Sequence, residues 1–268
     1  MKTIKKIKST SRTKKISGTK TEQPIRIFSY NISWESMTGK KPHWELCTNN
    51  TDKKHPKHFS VCVGNIAQVI EENDTDFVCL QEATDFYKLI NNSPRLKSMK
   101  FKEHNSGLDD MVTFWKPEYK LLYTIVGEFE KGRPWLATVF KDGLCLINVH
   151  FGHYSDSDEL ALLDLMVKTV EKGMQKMRTV VKRVIISGDF NFNIKDFGTK
   201  EFDNKKNEIK INNRIFYHNP KHILTCCIRR RRHYDHVIDS FGVPKDIYIP
   251  DVHYMSSDHK PIVAVLSC

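Results

Sequence analysis

Apolar residues along the chain fall into short runs that alternate between strand-like and helix-like periods. IRIFSYN, directly after Pro24, is rich in β-formers and marks the first core strand and the start of the folded body. In CVGNIAQVIEEN, Cys62, Ile66, Val69 and Ile70 recur at helical spacing and give a helix one apolar face. DFVCLQE reads as a short buried strand that ends in charge. A helix near 84–91, strands near 110–115, 119–126, 135–141 and 144–150, and a longer helix near 158–178 continue the alternation. In that longer helix Leu163, Val167, Val170, Met174 and Met177 stand three or four residues apart, a core-facing stripe in which the methionines are packing residues. The strand RVIIS, a polar stretch over 193–222, the strand YDHVIDS and the terminal strand KPIVAVL complete the pattern. Residues 38–60 are polar, rich in His and Lys and without a clear period, so they read as a long loop or insertion. No repeat or linker divides the body, and the simplest organisation is a single α/β domain over 24–268 behind a tail of residues 1–23.

Charge changes the picture of that tail more than that of the body. The formal net charge is +11, but the first twenty residues hold eight bases and no acid, so 35 bases face 32 acids over the remainder and the body carries only +3. The tail, made of Lys, Ser and Thr, is too polar to fold alone; it is suited to holding an anionic polymer, to acting as an address or to being a solvated extension. No run approaches the length of a membrane span, and the N-terminus lacks the apolar core of a secretory signal. The expectation is therefore an intracellular protein, cytoplasmic or nuclear, and a monomer. Seven cysteines without CxxC spacing argue against a disulfide framework or a zinc module, and those within DFVCLQE and GLCLINVH read as core thiols.

Candidate chemistry lies where apolar strands run into polar residues. IFSYN ends at Asn31, FVCLQE at Glu82 and VIISGDFN at Asp189 and Asn191, while the last strand follows Asp258 and His259. A rigid sheet fixes side chains at strand ends, and the adjoining loops leave room for substrate. Asn, Glu and Asp are hard oxygen donors suited to Mg²⁺ or Mn²⁺. The pairs in YDH (Asp235) and SDH (Asp258, His259) add ionisable groups whose pKa values a neighbouring charge moves easily.

Taken in order, YN (Asn31), QE (Glu82), NVH (Asn148, His150), SGDFN (Asp189, Asn191), YDH (Asp235) and SSDHKPI (Asp258, His259) resemble the motifs of the endonuclease/exonuclease/phosphatase superfamily over residues 25–267. Each motif is weak alone, whereas GDFN followed at a distance by SDH is specific. The resemblance implies a four-layer α/β sandwich, with two central, mostly antiparallel sheets flanked by helices and the site at one edge. It implies that Glu82, Asn31 and Asp258 hold one Mg²⁺ or Mn²⁺ ion and leaves a second ion open. Asp189 would activate or orient the attacking water, Asn191 would bind phosphoryl oxygens, and His259, held by Asp235, would stabilise charge building on phosphorus. His150, with Asn148 in the same motif, would contact the phosphate or assist the leaving oxygen. The stretch after Asn31 departs from the apurinic endonucleases, which counts against abasic-site specificity.

The activity expected from these residues is metal-dependent hydrolysis of a phosphodiester in nucleic acid or a nucleic-acid adduct. The basic tail and the run Arg229 to Arg232 favour that substrate, although a solvated loop explains the run equally well. Hydrolysis of a small or lipid-derived phosphate, such as an inositol phosphate, stays open because the body is near neutral. A binding protein that keeps the fold without the chemistry is the third reading, disfavoured by intact candidates at every motif. Trp34 reads as a core residue rather than a base-stacking one, and His153 as a turn histidine rather than a phosphate contact.

Overall fold

The structure, a computed structural model, describes residues 23–39, 47, 58–107, 109–129, 132–153, 156–194, 202–203, 205–227, 232–251 and 257–268. The basic tail, most of the 38–60 segment and Arg229 to Arg231 lie outside those residues. Two sheets form the centre. The first has six strands: β1 (Ile25–Asn31) is flanked by β2 (Phe77–Gln81), running parallel to it, and β14 (Ile262–Leu266), running antiparallel. β4 (Asp110–Trp115) and β3 (Lys100–Asn105) extend that sheet beyond β2, and β13 (Asp246–Tyr248) closes its other edge. The second sheet runs β5 (Leu121–Glu128), β6 (Pro134–Phe140), β7 (Leu144–His150), β8 (Arg183–Asp189), β12 (Asp235–Asp239), β11 (Arg214–His218), β10 (Glu208–Ile211), β9 (Phe202–Asp203). All its pairings are antiparallel except β7 with β8.

Three apolar layers hold four layers of structure together. Ile27, Phe77, Cys79, Leu146, Ile185, Val237 and Ala264 meet between the two sheets. Phe28, Val78, Leu80 and Phe114, on the other face of the first sheet, pack with Ile66, Ile70, Leu89 and Leu96 of the helices that cover it. Those helices are α1 (Trp34–Thr38), α2 (His58–Glu72), α3 (Tyr87–Asn92) and α4 (Pro94–Ser98). The outer face of the second sheet packs Val149, Val184 and Ile186 against Leu163, Val167, Val170 and Met174 of α5 (Asp156–Lys176), four of the five positions of the expected stripe; Met177, just past the end of the helix, is exposed instead of packed. This is the expected four-layer sandwich. Among the described residues no helix is long and apolar enough to cross a membrane.

Three parts of the pattern read differently in the structure. The polar stretch 193–222 contains β9, β10 and β11, whose buried apolar residues among those described are Ile209, Ile211 and Phe216, too few to show a strand period. β3 is a polar edge strand, KFKEHN, with no buried residue, and edge strands need little apolar content. Cysteine chemistry also differs: Cys47 bonds to Cys62 and Cys226 to Cys227, whereas Cys79 and Cys145 are the buried thiols expected. The bonded pairs are separated by 15 residues and by one, so each closes a short local loop that framework spacing does not reveal. Burial pushes the thiols of both Cys79 and Cys145 up to about 12, which keeps them protonated and inert.

A buried ion pair ties the far end of the second sheet to the chain terminus. The Arg183 guanidinium donates through Nε and Nη2 to the Asp239 carboxylate, at 2.5–3.2 Å, and through Nη1 to the Ser267 carbonyl at 2.6 Å. Removing the guanidinium leaves the Asp239 carboxylate buried without its charge partner, and breaking such a pair costs about 3–5 kcal/mol. Arg183→Met is expected to lower the unfolding free energy by about that amount in urea titration; a loss under ~1 kcal/mol would show that the pair contributes as little as a surface bridge.

Candidate active site between the sheets

Period-two alternation carries the inner face of each strand from apolar to polar. On β7 the inward positions are Leu144, Leu146, Asn148 and His150; on β8 they are Ile185, Ser187 and Asp189; on β1 they are Ile27, Ser29 and Asn31. The strands pair so that His150 on β7, Asp189 on β8 and Asp235 on β12 form one row. Asn31, opposite Gln81 in the first sheet, faces that row. The polar ends of separate strands therefore meet at one edge of the sandwich.

Asp189 is the hub and is fully buried. Its Oδ2 accepts from Asn31 Nδ2 at 3.0 Å and lies 3.5 Å from His150 Nε2 and 3.4 Å from His259 Nε2. Its Oδ1 accepts the Asn191 backbone N–H at 2.8 Å. Burial opposes ionisation, yet the two imidazoles, the Asn31 amide and the Asn191 N–H outweigh it and hold the carboxyl below its ordinary range. Asn191 has φ 55, and its carboxamide donates to the Phe151 carbonyl at 2.7 Å, so the GDFN turn is fastened to the strand beside it.

His259 sits between two acids. Its Nδ1 is 2.9 Å from Asp235 Oδ2, and its backbone N–H donates to Ser257 Oγ at 3.1 Å. Burial works against a charged ring, but Asp235 and then Asp189 push its pKa up to about 10. Burial raises the Asp235 carboxyl against the pull of His259. On the other side of Asp189, burial disfavours protonated His150, and the Asp109 carboxylate bonded to its Nδ1 overcomes that and raises it.

Glu82, at φ 54, is partly open to solvent, with its side chain 17% exposed, and Asp258 is half-buried as well. Oε1 accepts from Asn31 Nδ2 at 3.3 Å, and Oε2 accepts the Trp34 N–H at 3.1 Å. Arg133, one-third exposed, places Nη1 4.0 Å from Glu82 Oε1 and 3.4 Å from Asp109 Oδ2. Neither Asp109 nor Arg133 stands out in the sequence, because each lies on a turn leading into a strand and carries no motif. Asp258 places a carboxylate oxygen within 4.8 Å of a His259 ring nitrogen and Cys226 Sγ. Cys226 Sγ itself is 3.3 Å from His259 Nε2, a neighbour that the motifs do not suggest.

Asn148 stands behind this group rather than in it. Its Nδ2 lies 3.1–3.3 Å from the Leu80 and Val112 carbonyls and Thr113 Oγ1, and its Oδ1 accepts from Gln81 Nε2 at 2.7 Å, so the carboxamide is spent on the opposite sheet. The Trp34 side chain is 40% exposed rather than in the core. His153 is exposed, with its ring 6.2 Å from that of Tyr234.

The donor set fits a hard divalent cation. Glu82, Asp109, Asp189, Asp235 and Asp258 bring five carboxyl groups to an edge that also holds Arg133 and the rings of His150 and His259. Asp109 Oδ1 and Asp235 Oδ1 are buried without a hydrogen-bond partner among the described residues. The Asn31 carboxamide links Glu82 to Asp189 through Nδ2 while its Oδ1 accepts the Ser33 N–H at 3.1 Å, and Asp258 approaches the group from the side of His259.

No protein-family profile matches the chain. It is 28% identical over 259 residues to the uncharacterized protein L684 of Acanthamoeba polyphaga mimivirus, covering 90% of this chain and 50% of that protein, so the chain spans about half the length of the curated relative it matches. Among solved structures it is similar to truncated TDP2 of Caenorhabditis elegans, with TM-score 0.60, 13% identity and coverage of 91% of this chain and 98% of that one. The human Nocturnin catalytic domain with bound sulfate gives 0.60 at 15%, covering 91% and 94%. ANGEL2, described as a 2′,3′-cyclic phosphatase and solved with adenosine-2′,3′-vanadate, gives 0.60 at 14%, covering 91% and 95%. The fold is that of the endonuclease/exonuclease/phosphatase superfamily.

Two measurements test this geometry. The His259 ring is expected to titrate near pH 10 by NMR, and to fall by roughly 1–3 units in Asp235→Asn. Because the folded value exceeds the ordinary 6.5, the stability that this pairing contributes is complete below about pH 6.5 and is lost as pH rises through about 10. A ring titrating below 7 would dismantle the proposed ion pair. Gly188, at φ 150, would place a Cβ 2.0 Å from the Val149 carbonyl oxygen, so Gly188→Ala must displace the strand that carries Asp189. A stability loss of about 1–3 kcal/mol is expected in denaturant titration.

Proposed function

We propose that this protein hydrolyses phosphodiesters in nucleic acid or a nucleic-acid adduct, with Glu82, Asn31 and Asp258 holding one Mg²⁺ or Mn²⁺ ion. The observation that carries the reading is the convergence on Asp189 of Asn31, His150 and His259, within 3.0–3.5 Å, from separate parts of the chain. The bound ion would withdraw charge from the phosphoryl oxygens and stabilise the departing oxygen.

The chain's own groups divide the remaining work. Asp189 is ionised and faces the row of imidazoles, so its role is to aim the attacking water and draw its proton toward the carboxylate. His259 is cationic at neutral pH, which excludes it as a base and suits it to donate to a phosphoryl oxygen while negative charge builds on phosphorus. Asp235 positions that ring. His150, held at Nδ1 by Asp109, is placed to contact the phosphate or assist the leaving oxygen, and Arg133, with Nη1 3.1 Å from His150 Nε2, adds a cation for an anionic substrate. Asn191 is the phosphoryl-oxygen contact at the GDFN turn, and Asn148 supports the site by fixing the distance between the sheets.

A nucleic-acid substrate is supported by the eight bases and no acids in the first twenty residues and by the adenosine ligand of the similar ANGEL2 structure. The near-neutral body favours a small or lipid-derived phosphate as the second reading. Incubation with plasmid, single-stranded oligonucleotide and inositol phosphate, with Mg²⁺ or with chelator, separates them. Cleavage of nucleic acid that stops with chelator is expected; turnover of inositol phosphate alone transfers the assignment to the second reading, and no turnover of any substrate removes the enzyme assignment. Asp189→Asn is expected to lower kcat by about 10²–10⁴-fold with little change in substrate binding. Unchanged kcat would strip Asp189 of its role.

A further inference from the structure

On the outer face of the second sheet, away from Asp235, three histidines crowd together. His236 follows Asp235 on β12 and therefore points the opposite way; His218 ends β11, and His233 lies just before β12. All three are buried, and one ring nitrogen from each lies within 4.8 Å of the other two. His218 Nε2 is 3.2 Å from His236 Nδ1, while His236 Nε2 is 3.0 Å from the Phe192 carbonyl oxygen.

The Phe192 contact decides which nitrogen is available. A carbonyl only accepts, so Nε2 carries the proton and donates to it, and the Nδ1 lone pair is turned to His218 Nε2 at 3.2 Å. Metal-binding histidines are held in this way, with one nitrogen donating to a backbone carbonyl and the other turned to the ion. Burying three imidazoles beside one another is otherwise costly, because each proton gained by one ring repels the next. The Phe190 ring walls the group, its centroid 5.3 Å from that of His236; the His233 ring lies 4.4 Å from that of His236, and the exposed His222 ring 5.1 Å from that of His233.

We propose that His218, His233 and His236 bind a borderline divalent transition-metal ion of the Zn²⁺ class through three ring nitrogens, with His222 or water as the fourth ligand. The site is structural: it pins β11 and the approach to β12 on the side of the sheet opposite Asp235. Imidazole suits such an ion, whereas the oxygen donors around Glu82 suit Mg²⁺, so one protein sorts two kinds of cation by ligand chemistry. The inference does not depend on the catalytic reading.

The test is to strip the full chain with chelator, return it to buffer containing Mg²⁺ and titrate it with Co²⁺ and then Zn²⁺. One equivalent of Co²⁺ is expected to give the visible bands of four-coordinate nitrogen ligation without a thiolate charge-transfer band, and Zn²⁺ is expected to displace it and raise Tm. His218→Gln and His233→Gln are each expected to weaken binding by more than the roughly 10–100-fold that loss of an outer-shell partner costs. Absence of saturable binding in Mg²⁺ overturns the proposal. So does a thiolate charge-transfer band, which would place the ion on a cysteine rather than on the three histidines, or binding that survives both substitutions. Should the variants not fold, the Co²⁺ spectrum of the unaltered chain still decides the ligand class.

Discussion

Asn148 joins the two sheets, and the geometry of everything at that edge follows from it. One carboxamide on β7 reaches the carbonyls of Leu80 and Val112, the Thr113 hydroxyl and the Gln81 amide, all on the facing sheet. Apolar contacts between sheets are non-directional and tolerate sliding, whereas a buried amide leaves costly unsatisfied groups if the sheets shift. This bond set fixes the gap across which Asn31 reaches Asp189 at 3.0 Å. Placing polar groups between the sheets thus weakens the core locally and gives the site its registration.

The charges at the edge are mutually sustaining. Asp189 stays ionised because His259, His150, Asn31 and the Asn191 N–H offset its burial, and His259 stays protonated because Asp235 and Asp189 flank it. Neither group would hold its charge in the same apolar surroundings alone. Glu82 differs in being partly open to solvent, so water reaches its carboxylate beside the bonds from Asn31 and the Trp34 N–H. Fixed charges inside, with the partly exposed acids Glu82 and Asp258 at the rim, make a site that is organised before substrate arrives.

The sequence made the frame of this arrangement legible. Runs such as FVCLQ and RVIIS carry a strong apolar signal, and their polar ends Glu82 and Asp189 reach one site as the motifs suggest. The short strands around Ile209 and Phe216 escaped notice because two or three buried residues do not establish a period. Asp109 and Arg133 were invisible for another reason: their importance lies in proximity to His150, and a turn residue shows no local sign of a partner 41 or 17 positions away. The histidines at 218, 233 and 236 look like scattered polar residues until strand pairing brings them together.

β12 places Asp235 against His259 on its inner face and His236 against Phe192 on its outer face. A slip of one residue would reverse both, burying a carboxylate among aromatic rings and turning His236 toward the acids. Misalignment is therefore penalised on two sides of the sheet at once. The strand that delivers the most demanding side chains is also the one with the fewest acceptable ways to be misplaced, which protects the assembly of the edge during folding.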